Sequence, residues 1–158
     1  MAVSEGNPGG FPTVNQVERT TVSEKAKEGP VKETILKCGI CGAVAEMIVD
    51  CQCYTGLECC GKPMQEEIAQ TADSSKEKHV PVGENVAGSA VKVVVGSTPH
   101  PMTDQHRILW IEIIDGEMKM RKYLKAGDSP EAVFPTELKP GMILREYCNI
   151  HGLWEYKA

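Results

Sequence analysis

Six of the seven cysteines, Cys38, Cys41, Cys51, Cys53, Cys59 and Cys60, crowd one short stretch, and Cys148 stands alone near the end. A segment of that length buries too little core to order itself, so something other than packing must staple it. The odd count fits a fully disulfide-bonded chain poorly. Met1 to Gly10 has neither a basic start nor an apolar run, so no secretory signal is visible and a reducing, cytoplasmic setting is expected. In that setting a cysteine cluster more often holds a metal than disulfides.

The spacing points the same way. In Cys38-Gly39-Ile40-Cys41-Gly42 the two thiolates can face one ion, and the small glycines suit a tight loop. Cys59 and Cys60 supply a second pair, and a tetrahedron of four sulfurs suits iron and zinc alike. Side chains of adjacent cysteines diverge, so both reach one ion only where the backbone bends. Cys51 and Cys53 fall outside this ligand set and are read as spare thiols, alternative ligands or a local redox pair.

The chain has 158 residues, of which 41% are hydrophobic and 25% charged, ordinary values for a globular protein. Aromatics are only 5%, so the core must rest on Val, Ile, Leu, Met and Ala. No run approaches the ~18–20 apolar residues of a membrane-spanning helix. A net charge of −5 argues against a general nucleic-acid binder.

Residues 1–34 are rich in Gly, Pro, Ser, Thr, Glu and Lys and read as a flexible N-terminal extension, with a short helix over Val17–Lys27 as its only candidate element. Residues 35–70 form the cysteine module, with a short strand expected over Val44–Val49. Residues 71–78 are a polar linker. From 79 to 158 the chain is strand-rich: Val80–Val82, Ala90–Val95, Ile108–Ile114, Lys119–Leu124, Ala132–Phe134 and Ile143–Tyr147 are β-branched or alternating runs, punctuated by Gly83, Asp115-Gly116, Ala126-Gly127-Asp128 and Pro140-Gly141. So many short strands without a long helix imply an all-β sandwich.

All four histidines follow the cysteine module. His79 follows Glu77-Lys78. His100 sits between Pro99 and Pro101, which fix the backbone on both sides. His106 lies just before the run Ile108–Ile114. Cys148-Asn149-Ile150-His151 ends one strand and turns into Gly152-Leu153-Trp154, so that its thiol and imidazole could reach one ion. Four neutral imidazoles and a thiolate suit a borderline transition metal such as iron. No local motif forces these five residues together, and ordinary surface or core roles stay open for each.

Taken together, these residues resemble the desulfoferrodoxins, the two-iron superoxide reductases. Cys38-x-x-Cys41 … Cys59-Cys60-Gly-Lys-Pro-Met resembles their small desulforedoxin-like module. Glu77-Lys78-His79-Val80-Pro81-Val82, Gly96-Ser-Thr-Pro-His100-Pro-Met, His106, Trp110-Ile-Glu, Arg121-Lys-Tyr-Leu-Lys-Ala-Gly-Asp-Ser-Pro-Glu and Arg145-Glu-Tyr-Cys148-Asn-Ile-His151-Gly-Leu-Trp154 resemble their neelaredoxin-like catalytic domain. The match covers roughly residues 35–158.

The resemblance implies a mainly β chain: a metal-stapled desulforedoxin-like module followed by an immunoglobulin-like sandwich, usually in a homodimer. It implies two irons. Cys38, Cys41, Cys59 and Cys60 would hold the first, a rubredoxin-like centre in which zinc is the alternative. His79, His100, His106 and His151 would be the equatorial ligands of the second and Cys148 its axial thiolate, with a sixth position left for superoxide. Glu77 would approach that position in the oxidised state, and Lys78 would guide the anion and help to place a water. The implied reaction is one-electron reduction of superoxide to hydrogen peroxide without release of dioxygen, with a donor such as rubredoxin restoring the reduced state. The loop between Cys41 and Cys59 is slightly longer than in the relatives, and residues 1–34 have no counterpart in the short ones. Two other readings compete: an electron-transfer protein that uses only the four-cysteine iron, and a zinc-stapled binding module.

Overall fold

The computed structural model describes residues 32–50, 56–71 and 79–158. The expected helix over Val17–Lys27 and residues Cys51, Cys53, Glu77 and Lys78 lie outside the described residues. Within them every regular element is a strand, as the mainly β expectation requires.

The cysteine module contributes five short strands: β1 (Ile35–Lys37), β2 (Val44–Glu46), β3 (Glu58–Cys59), β4 (Lys62–Pro63) and β5 (Gln65–Glu66). They form an antiparallel sheet in the order β2-β1-β5 and a hairpin of β3 with β4. The strand expected over Val44–Val49 is regular only to Glu46, opposite Ile35; Met47 still bonds to Thr34 and Glu33, but Glu33 turns away with φ of 76°.

Seven strands build the rest: β6 (Pro81–Val86), β7 (Ala90–Val95), β8 (Ile108–Asp115), β9 (Met118–Tyr123), β10 (Glu131–Phe134), β11 (Ile143–Cys148) and β12 (Gly152–Lys157). They pair antiparallel as a sheet of order β10-β7-β6 and a sheet of order β12-β11-β8-β9. Between these sheets lie Val91, Val93 and Val95 of β7, Ile111 and Ile113 of β8, Leu144 and Cys148 of β11, and Phe134 of β10. The alternation of β7, Ala-Val-Lys-Val-Val-Val, produces this directly, since every second side chain of a strand points to the same face. Gly83, expected as punctuation, lies inside β6. A Cβ there would stand 2.8 Å from the end of the Leu144 side chain and 3.2 Å from that of Leu138, so any larger residue would have to displace these leucines. The turn expected at Cys148-Asn149-Ile150-His151 leads into Gly152-Leu153-Trp154, which opens β12, a strand outside the expected set that pairs with β11 from Cys148 back to Ile143.

β8 is buried on both faces. Ile111 and Ile113 enter the sandwich core, whereas Trp110 joins Tyr147, Leu153 and the module's Ile35 in a second cluster. The module therefore shares a core with the sandwich and does not depend on a metal staple alone. A bridge of charge reinforces the joint. Glu112, fully buried, accepts hydrogen bonds from Arg121 Nε at 2.6 Å and Arg145 Nε at 2.8 Å. Arg121 Nη2 also reaches Glu46 of the module at 2.8 Å, and Lys119 pairs with Glu46 and, at 3.5 Å, with Glu33. The two guanidiniums satisfy a carboxylate that would be very costly to bury alone.

One irregularity positions the site. The register of β11 on β8 shifts between Tyr147 and Cys148, whose partners are Trp110 and Ile108, so Leu109 is the extra residue of a bulge. With that residue taken out of phase, Ile108 and Cys148 both face the interior.

Candidate metal centres

Among the described residues, metal-ligating side chains gather at two places. Cys38, Cys41, Cys59 and Cys60 offer donor atoms that all lie within 4.8 Å of one another, and so do His79, His100, His106, Cys148 and His151.

The first cluster sits on two turns. Gly42 N–H donates to the Cys38 carbonyl at 3.0 Å and Cys38 N–H to the Ala43 carbonyl at 2.8 Å, closing the Cys-x-x-Cys knuckle. Cys60 and Gly61 form the two-residue loop of the β3–β4 hairpin, with φ of 54° and 71°. Two successive positive φ values mark a type I′ turn. This is the bend that adjacent cysteines need in order to face one ion. Sulfur separations of 3.6 Å for Cys41–Cys59 and 3.9 Å for Cys59–Cys60 fit a tetrahedron of thiolates, whose edges are about 3.8 Å for bonds of ~2.3 Å. The Cys41 and Ile40 amides donate to the Cys38 sulfur and pull its thiol down to about 6. Cys59 is pushed up to about 12, first by its hydrogen bonds with Cys41 and Cys38. Four sulfurs this close cannot all ionise unless a cation balances them.

The second cluster is a square of imidazoles. Neighbours around it, His79–His100, His100–His106, His106–His151 and His151–His79, have centroids 4.5–4.9 Å apart and planes crossed at 70–78°. The diagonal pair His79–His106 lies at 6.5 Å, close to the diagonal of a square on those edges. Cys148, fully buried, comes from the core side, its sulfur 3.5 Å from His151 Nδ1. His106 Nε2 is 3.3 Å from the same nitrogen.

The protonation pattern fits a metal. His100 Nδ1 lies 2.6 Å from the Pro101 carbonyl, which can only accept, so Nδ1 carries the proton and Nε2 keeps its lone pair. That Nε2 is buried with no hydrogen-bond partner among the described residues. Burial, and then the neighbouring imidazoles, pushes His100 down to about 4, so it is neutral near pH 7. Burial raises the Cys148 thiol, against the lowering effect of the His151 and Ile150 amides that donate to its sulfur. A bound cation would reverse the rise, since a coordinated thiol is deprotonated outright.

Several contacts to this cluster were not foreseen. The Trp154 ring stacks on His79 with centroids 4.8 Å apart. Gln70 Nε2 donates to the His151 carbonyl at 2.9 Å, and Gln70 forms a parallel bridge with Trp154. Glu146, buried between Leu144 and Cys148 along β11, has neither carboxyl oxygen hydrogen-bonded among the described residues, and burial drives its pKa well above the usual range. The sequence signal was slight: a charged residue at an inward position of an apolar strand marks Glu146, but nothing local marks Trp154 or Gln70. Glu77 and Lys78, the expected catalytic pair, directly precede His79 in the chain but are not among the described residues.

Comparison with known proteins agrees with this geometry. The family model for desulfoferrodoxin matches residues 71–157. A desulfoferrodoxin homolog of Methanothermobacter thermautotrophicus is 46% identical over 120 residues, 76% of this chain and 94% of the relative. The desulfoferrodoxin of Nitratidesulfovibrio vulgaris is 42% identical over 82% of this chain and 99% of its own length. The crystal structure of the superoxide reductase from Treponema pallidum superposes with a TM-score of 0.61 at 29% identity, covering 78% of this chain and 97% of the other. Two metal-ligating clusters in an all-strand fold, together with identity along nearly the full length of these relatives, place the chain in the desulfoferrodoxin family.

Proposed function

We propose that this protein is a superoxide reductase that converts superoxide to hydrogen peroxide. One observation carries the reading: four imidazoles and one buried thiolate converge on a single point. Neither a docking domain nor a zinc-stapled binding module has use for such a set. The four-cysteine cluster alone would suit those rivals.

His79, His100, His106, His151 and Cys148 are the ligands we assign to the catalytic iron, and Cys38, Cys41, Cys59 and Cys60 those of a second, rubredoxin-like iron. The catalytic iron, when bound, supplies the one-electron couple that superoxide needs. The chain's own groups set the terms of that exchange. Neutral imidazoles add no charge and the Cys148 thiolate adds −1, so a divalent ion keeps a net positive charge that attracts an anion although the chain carries −5. The Ile150 and His151 amides hold the sulfur and temper its electron donation to the metal. The reaction takes up one electron and two protons per superoxide. The protons come from water, and an external one-electron donor of the rubredoxin type supplies the electron.

Lys78 and Glu77 adjoin His79 in the chain, which supports the roles assigned to them: Lys78 steers the incoming anion and Glu77 closes on the reacting position after oxidation. Consuming superoxide is a detoxifying role, and we assign it to the cytoplasm. No helix among the described residues is long and apolar enough to cross a membrane. We also assign a homodimer, the association that the resemblance to the family implies.

A metal count per chain, with visible spectra before and after oxidation, tests the assignment. Two irons, one coloured on isolation and a second sulfur-to-iron band appearing on oxidation, are expected. Absence of iron from the histidine–cysteine cluster after anaerobic reconstitution would refute it.

A further inference from the structure

We propose that Asn149 is a positioning residue whose side-chain amide clasps the His106 loop to the Cys148–His151 turn and so sets the spacing of these two imidazoles. The inference rests on reading the imidazole square as a metal site.

The square has two unequal halves. His79 and His100 are buried and are held by packing, whereas His106 is only half-buried and His151 is exposed. Packing alone does not fix this outer half. Its two members come from segments 45 residues apart, yet their facing nitrogens lie 3.3 Å from each other. The β8–β11 ladder ends at Ile108 and Cys148, so beyond it the His106 loop and the Cys148–His151 turn need a further tie.

Asn149 supplies three bonds across that gap, all to residues flanking His106. Its Oδ1 accepts from Arg107 N–H at 2.8 Å. Its Nδ2 donates to the Gln105 carbonyl at 2.8 Å. Its own N–H donates to the Arg107 carbonyl at 3.1 Å. Both ends of the amide are therefore engaged, one as donor and one as acceptor, and both on main-chain groups that bracket His106. A carboxylate offers no donor and an alanine offers neither. Inside the loop, the Thr103 hydroxyl accepts from His106 N–H at 3.0 Å, and Thr103 N–H donates to the His106 carbonyl at 2.9 Å. The loop is thus a preformed unit, and Asn149 is its tie to the turn that carries Cys148 and His151. Groups that orient metal ligands in this way typically affect metal affinity or activity by about 10–100-fold when removed.

The test uses the full-length two-iron protein, with Fe(II) release from the histidine–cysteine site to a ferrous chelator as the main readout. The sulfur-to-iron band of the oxidised site is the second readout. Asn149→Ala is expected to release iron about 10–100-fold faster and to shift the band. Asn149→Asp, which keeps the acceptor and loses the donor, is expected to fall between parent and alanine. If Asn149→Ala does not fold, Asn149→Asp decides alone. A clasp that acts through His106 predicts that Asn149→Ala adds less than about threefold in a His106→Ala background. Release within about threefold of the parent for the folded variants, or effects that multiply fully in the double variant, would overturn the clasp. A parent protein that holds no iron at this site would overturn the metal-site reading itself, and the clasp with it.

Discussion

His79 and Trp154 lie ring over ring, with centroids 4.8 Å apart and planes 18° from parallel. One precedes β6 and the other is in β12, so the stack joins a residue at the mouth of one sheet to the edge strand of the other. Trp154 is itself 94% buried and bridged to Gln70, which holds the His151 carbonyl. The stack and the Gln70 bond thus hold one imidazole of the square and the main chain of a second.

The stack yields a graded prediction. Trp154→Ala should cost about 3–5 kcal/mol of stability, as for other large-to-small core changes. It should also loosen iron at the histidine–cysteine site. Trp154→Phe should recover most of the iron retention. Denaturant unfolding beside chelator release checks this, and equal iron loss in both variants would count against orientation by stacking.

The buried ion cluster should behave as a latch between module and sandwich. Glu112→Gln removes the carboxylate that Arg145 pairs with and leaves Arg121 with Glu46, and should destabilise the fold by about 3–5 kcal/mol. Denaturant unfolding measures it, and a change below about 1 kcal/mol would show that the guanidiniums find other partners.

The same joint should be acid-sensitive through Glu46. Burial alone would raise this carboxyl, but the Lys119 hydrogen bond and the Arg121 charge outweigh burial and hold its pKa below the ordinary value. A lowered folded-state pKa contributes stability that is present above the unfolded value, about 4.3, and is lost as pH falls through the folded one. The stability gap between parent and Glu46→Gln should therefore be constant near neutrality and narrow below about pH 4.3. Unfolding curves across that range test the sign, and a gap that widens with acid would contradict it.

Much of this was legible in the sequence, for reasons that differ by residue. Cys38, Cys41, Cys59 and Cys60 stood out because short-range spacing is itself the ligand geometry, and the Cys60-Gly61 turn supplies the bend that the vicinal pair demanded. The strands stood out because alternation is local, as in β7. The contacts that orient the imidazoles did not. Trp154 on His79, Gln70 on His151 and the Leu109 bulge depend on pairings between distant segments, which no local pattern encodes. The docking of Ile35 against Trp110, Tyr147 and Leu153 was hidden for a related reason: a short apolar run reads the same whether its partner lies inside or outside the module.

Cys148→Ser should abolish both the sulfur-to-iron absorption of the catalytic site and turnover, while the four-cysteine spectrum persists. Anaerobic reconstitution followed by spectroscopy checks it. A fully active serine variant would remove Cys148 from the ligand set.

Lys78→Ala should lower the second-order rate with superoxide and flatten its dependence on ionic strength, because steering by an exposed charge is screened by salt. Rates measured over a salt series test this. Parent and variant rates that coincide at every ionic strength would take Lys78 out of the mechanism.

The most direct test of the central claim is the product stoichiometry of the reduced protein with superoxide, reading hydrogen peroxide and dioxygen together. Reduction predicts one hydrogen peroxide per superoxide consumed, no dioxygen, and one electron drawn from the donor. Half a hydrogen peroxide with half a dioxygen, or superoxide left unconsumed, would contradict it.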